Sequence, residues 1–585
     1  MDNVLEAPGR LTIAGAPEGL DALYLAGRRA GARELLHIAR DDARMARLAE
    51  ALGFFAPELP VLTLPAWDCV PYDRVSPNGE IVARRIDVLT QLAGDRTRAG
   101  RLVLTTVSAA LQLVPPPEVF RDAMWRAGVG ERVDTDGLRR FLVRNGYHRA
   151  GTVREPGEYA VRGGIVDVFP PGTGEPLRLD FFGDELERVR GFDPMSQLSL
   201  DERDRIVLQP MSEVGLDPVS IQRFRRGYRE LFGAADDHDP LYDAVSGGRV
   251  HVGMEHWLPL FHARLVSLFD YLPDAAVTLD HQVDEAVDAR LEQIADYYEA
   301  RRSLAAAPSL DGAPPYKPVP PERLFLTREG FDRILSRRPV AAFSPFSAPA
   351  AGDGLDLKGR PAHGFSDDRA RPGANLFDAV ARRCAAERKR GRRIVVAAYS
   401  AGSRDRLQGL LGRHGVKRLR AADSWAQAMA GRKDQVALVV LGLERGLTTP
   451  ELVLFSEQDI LGERLARPSR RRRRADQFIA EVSTLHEGDL VVHLEHGIGR
   501  YQGLEALEIA GAAHDCLRLI YAGGDRLYLP VENIDVLSRF GAEEAGVGLD
   551  RLGSAAWQAR KSRIKKRIRE IAQRLIDVAA QRQLR

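Results

Sequence analysis

Residues 485–540 form a β-rich stretch interrupted by short turns, a pattern that few folds can accommodate. Within it, Gly523-Gly524-Asp525 separates the strand-forming runs Leu517–Tyr521 and Leu527–Leu529 in the manner of a hairpin turn. Runs of this length suit strands that curl into a small antiparallel barrel. Such a barrel leaves little room for an active site, but an edge strand can pair with the sheet of another protein. The stretch therefore predicts a small β-barrel that binds a protein partner.

The same stretch resembles the RNA-polymerase-interacting domain of bacterial transcription–repair coupling factors, which is related to the CarD family of polymerase-binding proteins. The residues that carry the resemblance form ordered runs: Val491-Val492-His493, Glu495-His496-Gly497-Ile498-Gly499-Arg500-Tyr501, Gly503 and Leu527-Tyr528-Leu529-Pro530-Val531. In that family the barrel pairs a strand with the polymerase β subunit, and a leucine lies at the contact. The resemblance assigns this position to Leu507, with Glu505 and Ile509 as neighbouring contact candidates. From the residues alone, Leu507 could instead fill the interior of the barrel.

Composition and length describe an ordinary protein of several domains. The 585 residues are enough for roughly four domains. No apolar run approaches the length of a membrane span, and the N-terminus lacks the pattern of a signal peptide. The three cysteines (Cys69, Cys384 and Cys516) are scattered without a CxxC pair, which fits a reducing compartment and argues against a zinc cluster. We therefore expect a cytoplasmic location, no contact with membranes and no bound metal.

The formal net charge of +2 conceals an uneven distribution. Residues 551–585 hold eleven Lys/Arg against Glu570 and Asp577, an excess of +9, so residues 1–550 sum to −7. The basic residues of this end lie on a predicted amphipathic helix whose other face is apolar. A second basic run, Arg470, Arg471, Arg472, Arg473 and Arg474, lies in a charged connector. It could contact DNA, or it could be a solvated tether that lets the barrel change position.

The first 120 residues alternate strand and helix patterns. Glu34–Ala39, Val61–Leu64 and Leu102–Val107 are predicted strands, and Asp41–Gly53 is a predicted helix, which indicates a parallel sheet covered by helices. This architecture often binds nucleotides, but the loop after the first strand contains no lysine that could reach a phosphate. Its glycines are too close together, and its glutamate would repel phosphate. We therefore expect no nucleotide hydrolysis at this loop.

From Gly146 to Gln209 the pattern changes to β-hairpins. This region resembles the module shared by the excision-repair helicase UvrB and the coupling factors, in which the hairpin insert binds the damage-recognition ATPase UvrA. The runs that carry the resemblance are Arg154-Glu155-Pro156-Gly157-Glu158, Arg162-Gly163-Gly164-Ile165-Val166-Asp167 and Asp180-Phe181-Phe182-Gly183-Asp184. The resemblance assigns Arg162, Arg178 and Phe182 to the UvrA contact.

Strand alternation supports this assignment. It places Leu177, Leu179 and Phe181 on one face of a strand and Arg178, Asp180 and Phe182 on the other. An exposed phenylalanine beside an arginine has the composition of a binding hot spot. Alternatively, Phe182 packs beneath a loop and the arginines pair with Glu155 or Glu158.

The predicted fold class is multidomain α/β and β. A second α/β domain is indicated by strand patterns at Arg393–Tyr399, Val416–Leu419, Val436–Leu441 and Leu452–Phe455. The predicted parts are a degenerate nucleotide-binding-like α/β domain similar to UvrB at residues 1–122, a UvrA-binding β-rich insert at 123–210, the remainder of the UvrB-like α/β body at 211–345, a small α/β domain at 346–455 that opens on a linker up to residue 375, a charged linker at 456–480, a Tudor- or CarD-like RNA-polymerase-interacting barrel at 481–548, and a basic amphipathic helix at 549–585.

Together these resemblances cover essentially the whole chain and are those of the N-terminal portion of a transcription–repair coupling factor. They imply binding to the β subunit of RNA polymerase stalled at DNA damage, recruitment of UvrA, and contact with damaged or upstream DNA through the full-length protein. In the family, ATP and magnesium serve a motor that follows the basic helix and translocates on DNA. We therefore expect no catalytic residue, no metal and no cofactor in this chain.

Two other functions are compatible with parts of the sequence. A UvrB-type DNA repair helicase would use the first α/β domain as an ATPase, which the loop after the first strand argues against. A CarD-like transcription regulator would use only the barrel, and it would leave some 480 N-terminal residues without a role.

Overall fold

The structure of the chain is a computed structural model that describes residues 9–27, 34–94, 100–234, 239–306, 316–347, 354–371, 375–462, 488, 490–493, 496–509, 512–530, 537–541 and 549. The chain divides into two compact units, residues 1–464 and 465–585. The run Arg470–Arg474 lies outside the described residues, and so does the predicted basic helix apart from Leu549.

Nine elements precede the β-rich insert, with bounds close to those expected. They are β1 (Gly9–Ala14), α1 (Leu20–Gly27), β2 (Leu35–Ala39), α2 (Asp42–Phe55), β3 (Val61–Leu64), α3 (Gly79–Ala93), β4 (Leu102–Thr106), α4 (Val107–Leu111) and α5 (Pro117–Asp122). Asp41 does not belong to the helix that the sequence predicted to begin there. Its side chain caps α2 by accepting a hydrogen bond from the backbone N–H of Arg44 at 2.7 Å.

The insert contains eight short strands and one helix. Its elements are β5 (Trp125–Gly128), α6 (Thr135–Arg144), β6 (His148–Arg149), β7 (Glu158–Arg162), β8 (Ile165–Val168), β9 (Leu177–Phe182), β10 (Glu185–Phe192), β11 (Ser199–Arg203) and β12 (Arg205–Leu208). Six of the strands form one sheet in the order β11-β10-β9-β8-β7-β6, while β12 pairs with β5. The buried face of this sheet packs on α6 through Leu138 and Leu142, which are both fully buried.

After the insert the chain returns to the first α/β body. The elements are α7 (Pro218–Phe232), α8 (Pro240–Ser246), a 3₁₀ helix (Met254–Leu260), α9 (Leu268–Tyr271), β13 (Ala276–Leu279), α10 (Val283–Ala306), a second 3₁₀ helix (Pro321–Arg323), α11 (Arg328–Ser336), β14 (Pro339–Phe343) and β15 (Gly354–Asp356).

Strands from both sides of the insert form one parallel sheet of seven strands, in the order β15-β1-β14-β13-β2-β4-β3. Because all seven strands are parallel, their carboxyl ends meet at the same edge, where the loop after β1 also lies. One strand was not expected: β15 comes from the segment that the sequence indicates to be a linker. It pairs with β1 through contacts such as Ile13 with Leu355, which join residues far apart in the chain.

The second α/β region has its own sheet, in the order β16-β20-β21-β17-β19-β18. Its elements are β16 (Arg360–Pro361), α12 (Ser366–Ala370), α13 (Leu376–Lys389), β17 (Arg393–Ala398), α14 (Ala401–Arg413), β18 (Leu419–Ala421), α15 (Trp425–Ala430), β19 (Val436–Val440), β20 (Leu447–Thr448), β21 (Leu452–Ser456) and α16 (Glu457–Leu461). The strand predicted at Val416–Leu419 was placed too early. Arg418 has a φ of +62°, outside the extended region, so the strand begins only at Leu419.

The two α/β regions share one apolar core. Buried residues of the first sheet and its helices, such as Leu48 and Leu52, belong to the same cluster as Val395 and Leu454 of the second sheet. The ring of Trp425 lies edge-on against Phe55 at 4.9 Å between centroids and against Phe54 at 6.3 Å. This shared core explains why residues up to Arg464 form a single compact unit.

The second unit contains five antiparallel strands. They are β22 (Leu490–His493), β23 (Gly497–Ile509), β24 (Ala512–Ile520), β25 (Arg526–Pro530) and β26 (Leu537–Gly541), in the order β25-β24-β23-β22-β26. The predicted hairpin around Gly523-Gly524-Asp525 is present, since Tyr521 donates a backbone hydrogen bond to Asp525 at 2.9 Å. The mixed, multidomain α/β and β architecture is thus confirmed, whereas closure of the small sheet into a Tudor-like barrel stays a prediction.

Candidate protein-interaction surfaces

The three predicted UvrA-contact residues lie on one face of the insert sheet. Arg162 of β7 is opposite Ile165 of β8, which is in turn opposite Asp180 of β9. Arg178 and Phe182 lie two residues on either side of Asp180, so alternation places them on the same face. The expected faces are confirmed, because Leu177 and Leu179 are buried while Phe182 is exposed.

Arg178 is held in place by a buried carboxylate. Its Nε and Nη2 atoms donate to the two oxygens of Asp167 at 2.7 and 3.0 Å, and its guanidinium carbon lies 4.6 Å from the centroid of the Phe192 ring. The hydrogen bond to Asp167 is the largest of the effects that raise the pKa of Arg178 above its usual range. Only 16% of the Arg178 side chain is exposed, against 50% for Arg162, which lies 3.9 Å from the same carboxylate. Asp167 therefore orients Arg178, whereas the Arg162 guanidinium donates its hydrogen bond to the carbonyl of Gly151.

Phe182 projects from the end of β9. Its exposed fraction is 76%, the largest among the exposed large apolar side chains of the described residues. The alternative in which it packs beneath a loop is therefore wrong. The arginines do not pair with Glu155 or Glu158 but with Asp167, and the Glu158 carboxylate instead accepts backbone hydrogen bonds from Arg154 and Glu155. An exposed aromatic ring beside a fixed guanidinium can anchor a protein partner.

Sequence reasoning did not identify Asp167 as part of this surface. A signal was present, since Ile165-Val166-Asp167-Val168 is an apolar run with a single acidic residue. A buried carboxylate in such a strand requires a hydrogen-bonded cation. Which arginine supplies it follows only from the register that places Asp167 opposite Arg178.

The polymerase-contact candidates lie on β23, which is not an outermost strand of its sheet. On one side β23 pairs with β24 as far as Ile509, but on the other side β22 pairs only with Gly497 to Arg500. Among the described residues, Leu504–Ile509 therefore has a strand on one side only. Among the described strands, the four-residue β22 is too short to cover the thirteen residues of β23, so this edge lies on an internal strand.

A bulge separates the covered and open parts of β23. The register with β24 shifts by one residue between Tyr501 and Leu504, and Gly503 in this interval has a φ of +110°. Bulges of this kind bend a strand and increase its twist. The bend marks the point where β23 continues past β22.

The three candidates occupy alternate positions along the open part of β23. Glu505 pairs with Cys516 in the register, and its carboxylate accepts a hydrogen bond from Nη1 of Arg518 at 3.1 Å. The backbone of Leu507 is opposite His514, and that of Ile509 is opposite Ala512. The side chains of Leu507 and Ile509 lie outside the described residues, so whether Leu507 points inward is not decided.

The loop after β1 uses its own backbone donors. The N–H of Gly15 donates to the carbonyl of Phe346 at 2.7 Å, and that of Ala16 donates to Ser344 at 2.9 Å. At the start of α1, the Asp21 carboxylate accepts hydrogen bonds from the N–H groups of Gly19 and Ala22 at 2.9 and 2.6 Å. These are the donors that would cradle a phosphate in a nucleotide-binding loop.

A network of arginines and carboxylates occupies the same edge of the sheet. The fully buried Arg44 pairs with Asp21, and its Nε lies 3.3 Å from Asp280 and 3.7 Å from Glu18. Burial raises the pKa of Asp21 to about 6, with Arg44 opposing the rise and Asp280 adding to it. These groups line a cavity of about 340 Å³. Carboxylates of the chain therefore take the position that a bound phosphate would need.

Two further properties concern the described residues only. They contain no group of three or more His, Cys, Asp and Glu side chains arranged to hold a metal ion. None of their helices combines the length and the apolar character that a membrane crossing requires.

Comparison with known proteins gives three matching family models along the chain. The UvrB interaction domain matches residues 126–213, the MFD D3 domain matches residues 388–460, and the CarD-like/TRCF RID domain matches residues 485–541. The first match contains Arg162, Arg178 and Phe182, the second contains most of the second α/β region, and the third contains the five-stranded sheet.

Relatives align over almost the whole chain. The transcription-repair-coupling factor of Escherichia coli is 32% identical over 95% of this chain and 47% of its own length, and that of Haemophilus influenzae is 31% identical over 97% and 48%. The corresponding protein of Myxococcus xanthus is 33% identical over 94% and 47%. Along nearly its whole length the chain is similar to transcription-repair-coupling factors, and it spans about half the length of the curated relatives it matches.

Proposed function

We propose that this chain is the partner-binding portion of a transcription–repair coupling factor. Its five-stranded sheet would hold RNA polymerase through the β subunit, and its insert would recruit UvrA to a polymerase stalled at damaged DNA. The observation that carries the proposal is that one chain combines a polymerase-interaction module with an open strand edge and a UvrB-type interaction domain with an exposed Phe182. Each surface needs no contribution from the other to bind its partner.

The open edge of β23 supports strand pairing with a partner's sheet. Leu504–Ile509 presents backbone N–H and C=O groups that a further strand can satisfy, and such groups are the usual basis of recognition by strand addition. Glu505, Leu507 and Ile509 would then supply side-chain contacts along the added strand. This arrangement would place the polymerase β subunit beside β23.

The insert supports a different kind of contact. Arg162, Arg178 and Phe182 share one face of the sheet, on which the aromatic ring is exposed and the Arg178 guanidinium is oriented by Asp167. Arginine and aromatic residues dominate the energy of protein interfaces. We infer that UvrA provides an acidic and apolar counterpart to this face.

We further propose that this chain makes no catalytic contribution and needs no cofactor. The donors of the loop after β1 bind the chain itself, and carboxylates fill the position of a phosphate. ATP, magnesium and translocation on DNA would belong to the remainder of the full-length family members, and the location would be cytoplasmic.

A crossed binding experiment tests the proposal. Purified RNA polymerase and purified UvrA are each offered to the wild-type chain, to Leu507→Arg and to Phe182→Ala. We expect Leu507→Arg to lose polymerase and keep UvrA, and Phe182→Ala to show the opposite pattern. A CarD-like regulator would bind polymerase only, and a UvrB-type helicase would hydrolyse ATP, so either result would contradict the proposal.

A further inference from the structure

The second α/β region carries a concentration of positive charge that the proposed partner contacts do not use. Residues 376–434 contain fifteen Lys/Arg and five Asp/Glu, a net charge of +10, so the rest of the chain sums to −8. Part of this charge lies on a surface that we call the basic edge, which consists of Lys389, Arg390, Lys417, Arg418, Arg432 and Lys433. All six side chains are exposed.

The topology of the sheet brings these six residues together. Strands β17, β19 and β18 are parallel neighbours, with Ile394 and Leu419 both opposite Val436 at their amino ends. Each pair of basic residues lies in the segment that leads into one of the three strands. Since adjacent strands lie about 4.8 Å apart, the three segments cover roughly 10 Å along one edge.

The two acidic side chains that pair with arginines of the basic edge do not neutralise it. The carboxylate of the fully buried Glu387 forms ion pairs with three arginines: Arg383 at 2.9 Å, Arg390 at 2.8 Å and Arg392 at 2.7 Å. The carboxylate of Asp434 forms ion pairs with both Arg418 and Arg432. Each carboxylate therefore leaves positive charge in excess while it fixes the guanidinium groups in position.

The three lysines add unpaired charge. Within the described part of the chain, no acidic side chain forms an ion pair with Lys389, Lys417 or Lys433. Arg418 has a φ of +62°, which side chains rarely adopt, and its guanidinium contacts Asp434. A non-glycine residue kept in this conformation on an exposed edge indicates a local constraint of the kind that clusters at binding sites.

The composition of the basic edge selects among possible anionic partners. Single-stranded nucleic acids are bound through exposed aromatic rings on which bases stack. The aromatic residues of this region lie elsewhere: Phe377 stacks on His414, Trp425 packs against Phe54 and Phe55, and Tyr399 follows the carboxyl end of β17. Long basic side chains without stacking platforms suit phosphate groups of a duplex.

We propose that the basic edge binds the sugar–phosphate backbone of duplex DNA without reading its sequence. The three lysines, and the guanidinium atoms of the three arginines that do not contact a carboxylate, would each displace counterions from phosphates. This contact does not depend on the proposed binding of polymerase or UvrA.

The test measures binding of the full chain to a labelled duplex of about 30 base pairs by fluorescence anisotropy, over salt concentrations from about 50 to 200 mM. The variant combines Lys389→Ala, Lys417→Ala and Lys433→Ala. Each lost phosphate contact should reduce the slope of log affinity against log salt by roughly 0.9, so we expect a decrease of about 2 to 3. At about 100 mM salt, duplex affinity should fall at least about ten-fold.

The matched control removes the same charge from other surfaces of the first unit. It combines Arg226→Ala, Arg264→Ala and Arg302→Ala, whose side chains are 81%, 67% and 65% exposed. The control should retain the wild-type slope, and both variants should retain the wild-type melting temperature.

Four results would overturn the proposal. The first is an unchanged slope in the lysine variant, and the second is an equal loss in the control, which would reflect total charge. The third is a larger loss on a single-stranded oligonucleotide than on the duplex. The fourth is that the lysine variant no longer binds purified UvrA or RNA polymerase while its duplex binding stays intact. This result would assign the basic edge to an acidic protein surface.

Discussion

Asp167 illustrates how one buried side chain prepares a surface that it does not itself form. Its carboxylate is 1% exposed and accepts two hydrogen bonds from Arg178, so the guanidinium is fixed before any partner arrives. Phe182 has the opposite character, since its side chain is exposed. Substitutions at these positions should therefore separate stability from binding.

Phe182→Ala should weaken UvrA binding by about 2 kcal/mol, or roughly thirty-fold, because an exposed aromatic anchor contributes on this order. The melting temperature should be unchanged, since 76% of the side chain is already exposed to water. Calorimetric titration with purified UvrA and thermal unfolding provide the two measurements. Leu198→Ala is the matched control, because Leu198 is an exposed apolar residue of the same insert, 69% exposed. Equal weakening in both variants would contradict a specific role for Phe182.

His37 should make stability depend on pH. It is fully buried, its Nδ1 lies 3.0 Å from Oγ1 of Thr278, and burial lowers its pKa to about 4. The unfolded chain takes up this proton near the ordinary pKa of 6.5, so stability is full above pH 6.5 and falls as the pH decreases toward 4. The loss between pH 6.5 and 5 should be roughly 2 kcal/mol from this group.

Urea unfolding at a series of pH values measures this dependence. His37→Asn keeps a polar atom near Thr278 but cannot titrate, so its stability should fall less between pH 6.5 and 5. His256, whose pKa burial also lowers to about 4, should preserve part of the dependence in that variant. An identical pH profile for wild type and His37→Asn would show that the group is not buried neutral.

The strand β23 has two parts that differ in their pairing. Its first four residues, Gly497 to Arg500, pair with β22, whereas Leu504–Ile509 has β24 on one side only among the described residues. The bulge at Gly503 divides the two parts. The proposed polymerase contact falls in the second of these parts.

Leu507→Arg should abolish polymerase binding, because an apolar contact beside a paired strand would have to accept an unpaired charge at a cost of several kcal/mol. We expect at least a hundred-fold loss in a pull-down or titration with purified polymerase. Leu200→Arg is the control, because this substitution introduces the same charge on the insert. The Leu200 side chain is 49% exposed. Polymerase binding that survives in Leu507→Arg would remove the proposed contact.

The whole first unit is organised by contacts across its two sheets. Trp425 of the second region packs on Phe54 and Phe55 of the first, and one apolar cluster continues through both. Residues of the loop after β1 and the network around Arg44 also lie beside Leu443 and Gly446 of the second region. The first unit should therefore unfold as one cooperative body.

Trp425→Ala should destabilise this unit by about 2 to 3 kcal/mol, since the ring is half-buried between the two regions and its removal leaves a cavity. Urea unfolding followed by fluorescence and circular dichroism measures the change. Both signals should move together to lower urea concentration. Two separate transitions, of which only one shifts, would contradict a shared core.

Addition of ATP and magnesium should leave the melting temperature of this chain unchanged. A ligand present at a hundred times its dissociation constant would stabilise the protein by about 2.7 kcal/mol. No such shift is expected, because the Gly15 and Ala16 amides and the Arg44 guanidinium already bind groups of the chain. Gly15→Ala should instead destabilise the fold, since an added Cβ would collide with Asp356. A nucleotide-dependent rise in melting temperature would instead support the function of a UvrB-type helicase.

Much of the local structure could be predicted from the sequence. The strand Val61–Leu64, the hairpin at Gly523-Gly524-Asp525 and the exposed side of β9 follow from alternation and turn residues, which act over a few neighbouring positions. The displaced start of β18 was missed because the strand begins where Leu419 pairs with Val436, a residue distant in the chain, and Arg418 before it has a φ of +62°.

The sequence by itself determined the fold class of the chain, since its long ordered motifs and its alternating patterns can be recognised without knowledge of any contact. Only the tertiary structure decided that Asp167 holds Arg178, that β15 completes the first sheet and that carboxylates occupy the loop after β1. It also decided that basic residues from three separate segments share one edge. The physical reason is the same in each case: these properties arise from pairs of residues that are distant in the chain, and their energies depend on burial and register, which no local pattern records.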